Sequence, residues 1–99
     1  MSDPGFLLHE AVLRVDEDEV KRLLGEGADP NGLDEFGNSP LHWAVFQGNY
    51  KIAELLVDNG ANVNAISRDG VTPLWRAIDF GQEEIAELIR KRGGESISR

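Results

Sequence analysis

Cysteine is absent from the 99 residues. That excludes disulfides and thiolate metal sites and fits a reducing compartment, so a cytoplasmic setting is expected. Long apolar runs are also missing, and nothing approaches the roughly twenty residues that a membrane helix needs. The opening "MSDPGFLLHEAV" lacks the basic segment and apolar stretch of a secretory signal. Basic residues are scarce: 10 Lys/Arg stand against 18 Asp/Glu, for a net charge of −8. The deficit is uneven, because residues 1–66 hold 4 Lys/Arg and 12 Asp/Glu while residues 67–99 hold 6 of each. Phosphate backbones require clustered cations, so nucleic acid is not an expected partner. The trio Arg90-Lys91-Arg92 reads instead as cations at the negative end of a helix. A protein with a basic surface suits the acidic half better, although excess acid also serves solubility.

What is present is a repeat. A shift of 33 residues superposes Leu8, Leu41 and Leu74, then Ala11, Ala44 and Ala77, then Val12, Val45 and Ile78. Leu23, Leu56 and Ile89 follow, as do Gly27, Gly60 and Gly93. Three units are expected, at about 4–36, 37–69 and 70–95, with a short tail at 96–99, together forming one domain over 1–99. Each unit reads as two short helices. Ser39 is an N-cap with Pro40 at the first helical position, and Thr72-Pro73 repeats the pair. Second helices carry the stripes Ile52, Ala53, Leu55, Leu56 and Ile85, Ala86, Leu88, Ile89, each closed by glycine in a left-handed conformation. In the first unit Phe6 occupies the cap position and cannot cap, so Asp3-Pro4 is expected to start that helix a turn earlier. Helices this short persist only by stacking on neighbours, which makes the fold class all-α, a short solenoid.

The segments "DEFGNSPLHWAV" with "GANVNA", and "SRDGVTPLWRAI" with "GGESI", resemble the ankyrin repeat. "LLHEAV" and "GADPN" extend the likeness into the first unit, so that it spans about residues 6–95. The resemblance implies a right-handed stack of helix-turn-helix units joined by β-turn loops, L-shaped in section. It also implies that Ser39 and His42 lock a helix entrance together. Trp75 departs from the motif histidine, which leaves the Thr72 hydroxyl without its usual partner. Arg22 and Arg90 replace apolar residues of neighbouring units and read as polar outer faces of the terminal units. Such cap-like units suggest a complete or deliberately trimmed small protein, with a piece of a longer array left open.

Three patterns invite chemistry. Ser39 and His42 could be nucleophile and base, but no orienting carboxylate, nucleophile elbow or oxyanion hole accompanies them. His9 and His42 recur at one repeat position, and helices packed about 8–10 Å apart do not bring two imidazoles to the roughly 2 Å that zinc requires. "DEDE" at 16–19 fails the EF-hand spacing and reads as a solvated helix start. No phosphate-cradling loop is present. No catalytic residue, metal or cofactor is therefore expected.

Surface is what is left. In the ankyrin family the partner usually binds the concave side, and the resemblance carries this to specific positions. The loop tips are Leu33, Glu35, Phe36 and Asn38, then Ile66, Arg68, Asp69 and Val71. First-helix positions are Trp43, Phe46 and Gln47, then Arg76, Asp79 and Phe80, with Leu13 and Arg14 from the first unit. Large apolar groups on an exposed face make typical anchors, and the competing reading packs Trp43 and Phe46 between units. The expected function is a non-enzymatic, monomeric protein-binding module. Alternatives are a toxin-neutralising or enzyme-inhibiting protein masking a basic surface, an engineered or orphan scaffold, and a small hydrolase or metal enzyme.

Overall fold

Serine 39 begins the middle unit by accepting a hydrogen bond from the His42 N–H at 3.2 Å, ahead of Pro40 at the first helical position. The same chemistry recurs at Thr72, which accepts from the Trp75 N–H at 3.3 Å before Pro73. A computed structural model describes residues 4–99, with side chains from Phe6 onward. It contains six helices: α1 (Pro4–Leu13), α2 (Glu17–Gly25), α3 (Pro40–Gln47), α4 (Tyr50–Asp58), α5 (Pro73–Asp79) and α6 (Glu83–Lys91). Among the described residues the only β pairing is an isolated antiparallel bridge between Val71 and Ser98. Helix α1 does begin at Pro4, about one turn ahead of Leu7, the position equivalent to Pro40, while the expected cap at Asp3 lies outside the described residues.

Helices pair within each unit, α1 with α2, α3 with α4 and α5 with α6. Between units, α1, α3 and α5 stack as an inner row and α2, α4 and α6 as an outer row. The superposed apolar positions fill the space between rows: Leu8, Leu41, Leu56, Ile52, Ile85 and Ile89 are wholly or almost wholly buried. Gly27, Gly60 and Gly93 all have φ near +90° (93°, 96° and 88°), so each closes an outer helix in the left-handed region that other residues resist. The acidic run 16–19 is a helix start, with Asp16 accepting from the Glu19 N–H at 3.1 Å.

Side-chain hydrogen bonds tie successive units at the turns. Asn31 donates to the Gly60 carbonyl at 3.1 Å and accepts from the Asn62 N–H at 2.6 Å. Asn64, 33 residues on, repeats this with Gly93 (3.1 Å) and the Glu95 N–H (2.7 Å). Thr72 is fully buried, and it replaces its missing histidine partner with the tail. Its hydroxyl donates to the Glu95 carbonyl at 2.6 Å and accepts from the Ile97 N–H at 3.1 Å. Its own N–H reaches the Ile97 carbonyl at 3.0 Å, and the Arg99 N–H reaches the Gly70 carbonyl at 2.7 Å.

The first and third units differ from the middle one in what they leave exposed. Arg22 and Arg90 are exposed, Arg22 held between Glu19 and Glu26. Ile78 departs from its repeat partners: Val12 and Val45 are fully buried, whereas Ile78 is 48% exposed. Helix α3 covers the face of α1, and α5 covers that of α3, but no described helix covers α5 on that side.

Candidate functional site

The Ser39–His42 pair is buried, at 2% and 5% exposure. His42 Nε2 lies 3.0 Å from the Val71 carbonyl, which can only accept, so that nitrogen carries the proton. Nδ1 is then an acceptor, 2.8 Å from the Ser39 hydroxyl. Both nitrogens and the hydroxyl are consumed in fixing the helix start and in tying the second unit to the loop of the third. Burial pushes the imidazole pKa down, outweighing the bond to Val71. In the first unit His9 Nε2 lies 2.6 Å from the Gly32 carbonyl, but its buried Nδ1 finds no partner among the described residues. Phe6 stands there in place of the capping hydroxyl.

Asp34 organises the exposed side of the stack. Its Oδ1 accepts the N–H groups of Phe36 and Asn38, each at 2.9 Å, and its Oδ2 accepts the Trp43 indole N–H at 2.6 Å. Burial pulls its carboxyl pKa upward, yet the bonds from Asn38, Trp43 and Phe36 outweigh that and hold it below the usual value. One carboxylate thus folds the first loop and fixes the tryptophan to it. Asp34 was not among the expected site residues, although it is the aspartate that heads the loop motif "DEFGN". Ser67 takes the same position in the next loop and is buried beneath the bond between its hydroxyl and Asp69.

From this base an aromatic row crosses two units. Trp43 and Phe46 meet edge-to-face at 5.8 Å and 79°, and Phe46 and Phe80 meet at 5.7 Å and 54°. The Arg76 guanidinium sits 5.5 Å from the rings of both Phe80 and Trp75, and pairs with Asp69 at 2.5 Å. A small pocket of about 260 Å³ opens between Trp43, Phe46, Arg76 and Phe80, with Asn38 and His42 behind it. On the first-unit side, a longer groove of about 940 Å³ runs between α1 and the first loop, past Leu13, Leu33 and Phe36 to Trp43.

The expected surface residues separate into three groups. Leu33, Glu35, Phe36, Phe46, Arg68, Asp69, Asp79 and Phe80 are exposed, as are Leu13 and Arg14. Asn38, Trp43, Gln47, Ile66 and Arg76 are half-buried. Trp43 packs partly on the core, and Gln47 donates to the Leu13 carbonyl at 3.1 Å. Val71 is the correction. It is only 4% exposed, because its carbonyl receives His42 and its backbone pairs with Ser98, which draws it under the loop.

The profile described as ankyrin repeats (3 copies) matches residues 8–99. The chain belongs to the ankyrin-repeat family. Members of this family are in general non-enzymatic modules for protein–protein interaction. The chain is similar to the nuclear factor NF-kappa-B p105 subunit of Rattus norvegicus, 51% identical over 45 residues, which is 46% of the chain and 5% of that protein. It is also similar to protein VAPYRIN-LIKE of Medicago truncatula, 45% identical over 47 residues, or 48% of the chain and 10% of that protein. A third similarity is to the potassium channel SKOR of Arabidopsis thaliana, 43% identical over 49 residues, 50% of the chain and 6% of the channel. The matched stretch thus spans a tenth or less of each of these relatives. Such local matches concern repeats of the shared frame, and a frame does not specify a partner.

Proposed function

We propose that this ankyrin-repeat chain acts as a monomeric protein-binding module whose contact surface is the face carrying the loops and the exposed side of α3 and α5. The observation that supports this reading most is the Trp43–Phe46–Phe80 row. Phe46 is 56% exposed and Phe80 41% exposed, yet both are held in place by ring contacts and by Arg76. Aromatics that are exposed but already ordered lose little side-chain freedom on association, which makes them efficient anchors. The network from Asp34 through Trp43 supplies the rigidity.

The test is affinity capture from the native source with the wild-type chain and with Phe46→Ala/Phe80→Ala. Both side chains are solvent-exposed, so the double variant is expected to unfold within a few degrees of wild type. It is also expected to lose the partner, since truncating two anchors costs several kcal/mol of binding in favourable cases. Trp43→Ala is the less clean variant, because that ring also packs on the core. Retention of the same partner by the double variant overturns the reading.

A further inference from the structure

The face is not uniform along the stack, and its variation in charge and shape constrains what it can hold. At equivalent positions of the three units stand Glu10, Trp43 and Arg76, so one row runs from acid through aromatic to base. Glu35 and Phe36 of the first loop are answered by Arg68 and Asp69 in the second. The third-unit end is internally satisfied: Arg76 is paired with Asp69, and Arg68 donates to the Glu35 carbonyl at 2.7 Å. The first-unit end is not neutralised in this way. Among the described residues its groove is lined by four carboxylates, Glu10, Asp29, Asp34 and Glu35, and by no Lys or Arg. Arg14 reaches Glu10 from outside at 3.9 Å, an exposed contact too loose to cancel the field.

The same groove exposes apolar surface that the other described residues leave uncovered. Phe6 is 55% exposed, Leu13 47%, and Leu33 and Phe36 58% each. Such a patch rimmed by one sign of charge is complementary to a ligand that is apolar in the middle and oppositely charged at its flanks.

We propose that the groove between α1 and the first loop takes an extended peptide segment of the partner, with one large apolar side chain flanked by Lys or Arg. The apolar side chain lies among Leu13, Leu33 and Phe36, and the flanking cations face Glu10, Asp29 and Glu35. Arg76 is already taken up by Asp69 at the third-unit end, so the unbalanced negative charge lies along the groove and sets the docking position together with its shape. This inference rests on the protein-binding reading above and adds to it the chemistry of the bound segment.

A random linear peptide library displayed on phage and selected on the immobilised full-length chain tests it. The expected consensus is a Leu, Ile, Met, Phe or Trp with Lys or Arg within about three residues. A synthetic peptide of that consensus should bind at least about tenfold more weakly to Leu33→Ser/Phe36→Ser, a loss of about 1.4 kcal/mol. Glu10→Gln/Glu35→Gln should weaken binding in dilute buffer and make little difference at roughly 0.5 M salt, where exposed charges are screened. An acidic or uncharged consensus, no enrichment, or indifference to Leu33→Ser/Phe36→Ser overturns the proposal. So does a dimer in sedimentation that Leu33→Ser/Phe36→Ser dissolves, since the groove would then be occupied by a second copy. A native partner lost with Phe46→Ala/Phe80→Ala but kept by Leu33→Ser/Phe36→Ser leaves the broader reading standing and removes this one.

Discussion

His42 Nε2 lies 3.0 Å from the carbonyl oxygen of Val71, 29 residues away, while its other ring nitrogen faces Ser39. A neutral imidazole is therefore built into the seam between the second and third units. Its folded pKa is depressed by burial, so the unfolded chain takes up the proton first. Stability from this group is fully present above the ordinary histidine value of about 6.5 and is lost as pH falls towards the folded value. The urea midpoint should accordingly drop between about pH 7.5 and about pH 5.5. In His42→Gln the overall stability should be lower by about 1–3 kcal/mol through the lost bonds, but that slope should flatten. An unchanged slope in the variant would assign the pH dependence elsewhere.

Val15 has φ +58°, whereas its counterparts are Gly48 at +69° and Gly81 at +70°. A β-branched residue in the left-handed region costs about 1–2 kcal/mol, and Val15 is 47% exposed, so it has little packing to offset that cost. Glycine gives back about 0.5–1 kcal/mol through the entropy of the unfolded chain. Val15→Gly should therefore stabilise by about 0.5–1 kcal/mol, read as a rise of a few degrees in Tm. A fall in Tm would show that the valine side chain makes contacts worth more than its strain.

Thr72 holds the tail with one hydroxyl that caps α5, donates to Glu95 and accepts from Ile97. Thr72→Val keeps the shape and removes all three bonds, leaving the Ile97 N–H and the first turn of α5 without a partner. A loss of about 2–3 kcal/mol is expected from the cap and the orphaned groups. Thr72→Ser keeps the hydroxyl and should cost about 1 kcal/mol for the missing methyl. Chemical denaturation of the two variants separates hydroxyl from volume, and equal losses would mean that volume dominates.

Relationships between repeats were the legible part of the structure. A period of 33 with Ser39-Pro40 and Thr72-Pro73 specifies helix starts, and the stripes around Ile52 and Ile85 specify the outer row, because each middle residue meets the same neighbours in every unit. Residues near the ends of the stack were harder to read. Ile78 has the identity of a core residue, and its exposure depends on what covers α5 rather than on the residue itself. Val71 looks like a loop tip by register, yet the tail pairs with it, and the tail "ESISR" carries no period that announces pairing. On the candidate face, the aromatics were visible by carrying positions across the family motif. The Asp34 carboxylate that orders them was hidden because one motif aspartate serves both the turn and a side chain nine residues on.

The buried Nδ1 of His9 has a consequence for how the protein moves. The first unit combines this nitrogen, unpartnered among the described residues, with the strained Val15, whereas the third is closed by the hydrogen-bonded tail. In a chain whose units contact only their neighbours, such asymmetry gives unfolding a direction. Amides of α1 and α2 should exchange with solvent by partial opening well before those of α5, so the protein breathes from its acidic end. The groove lies on that unit, so a peptide seated between α1 and the first loop should slow the exchange of the α1 amides.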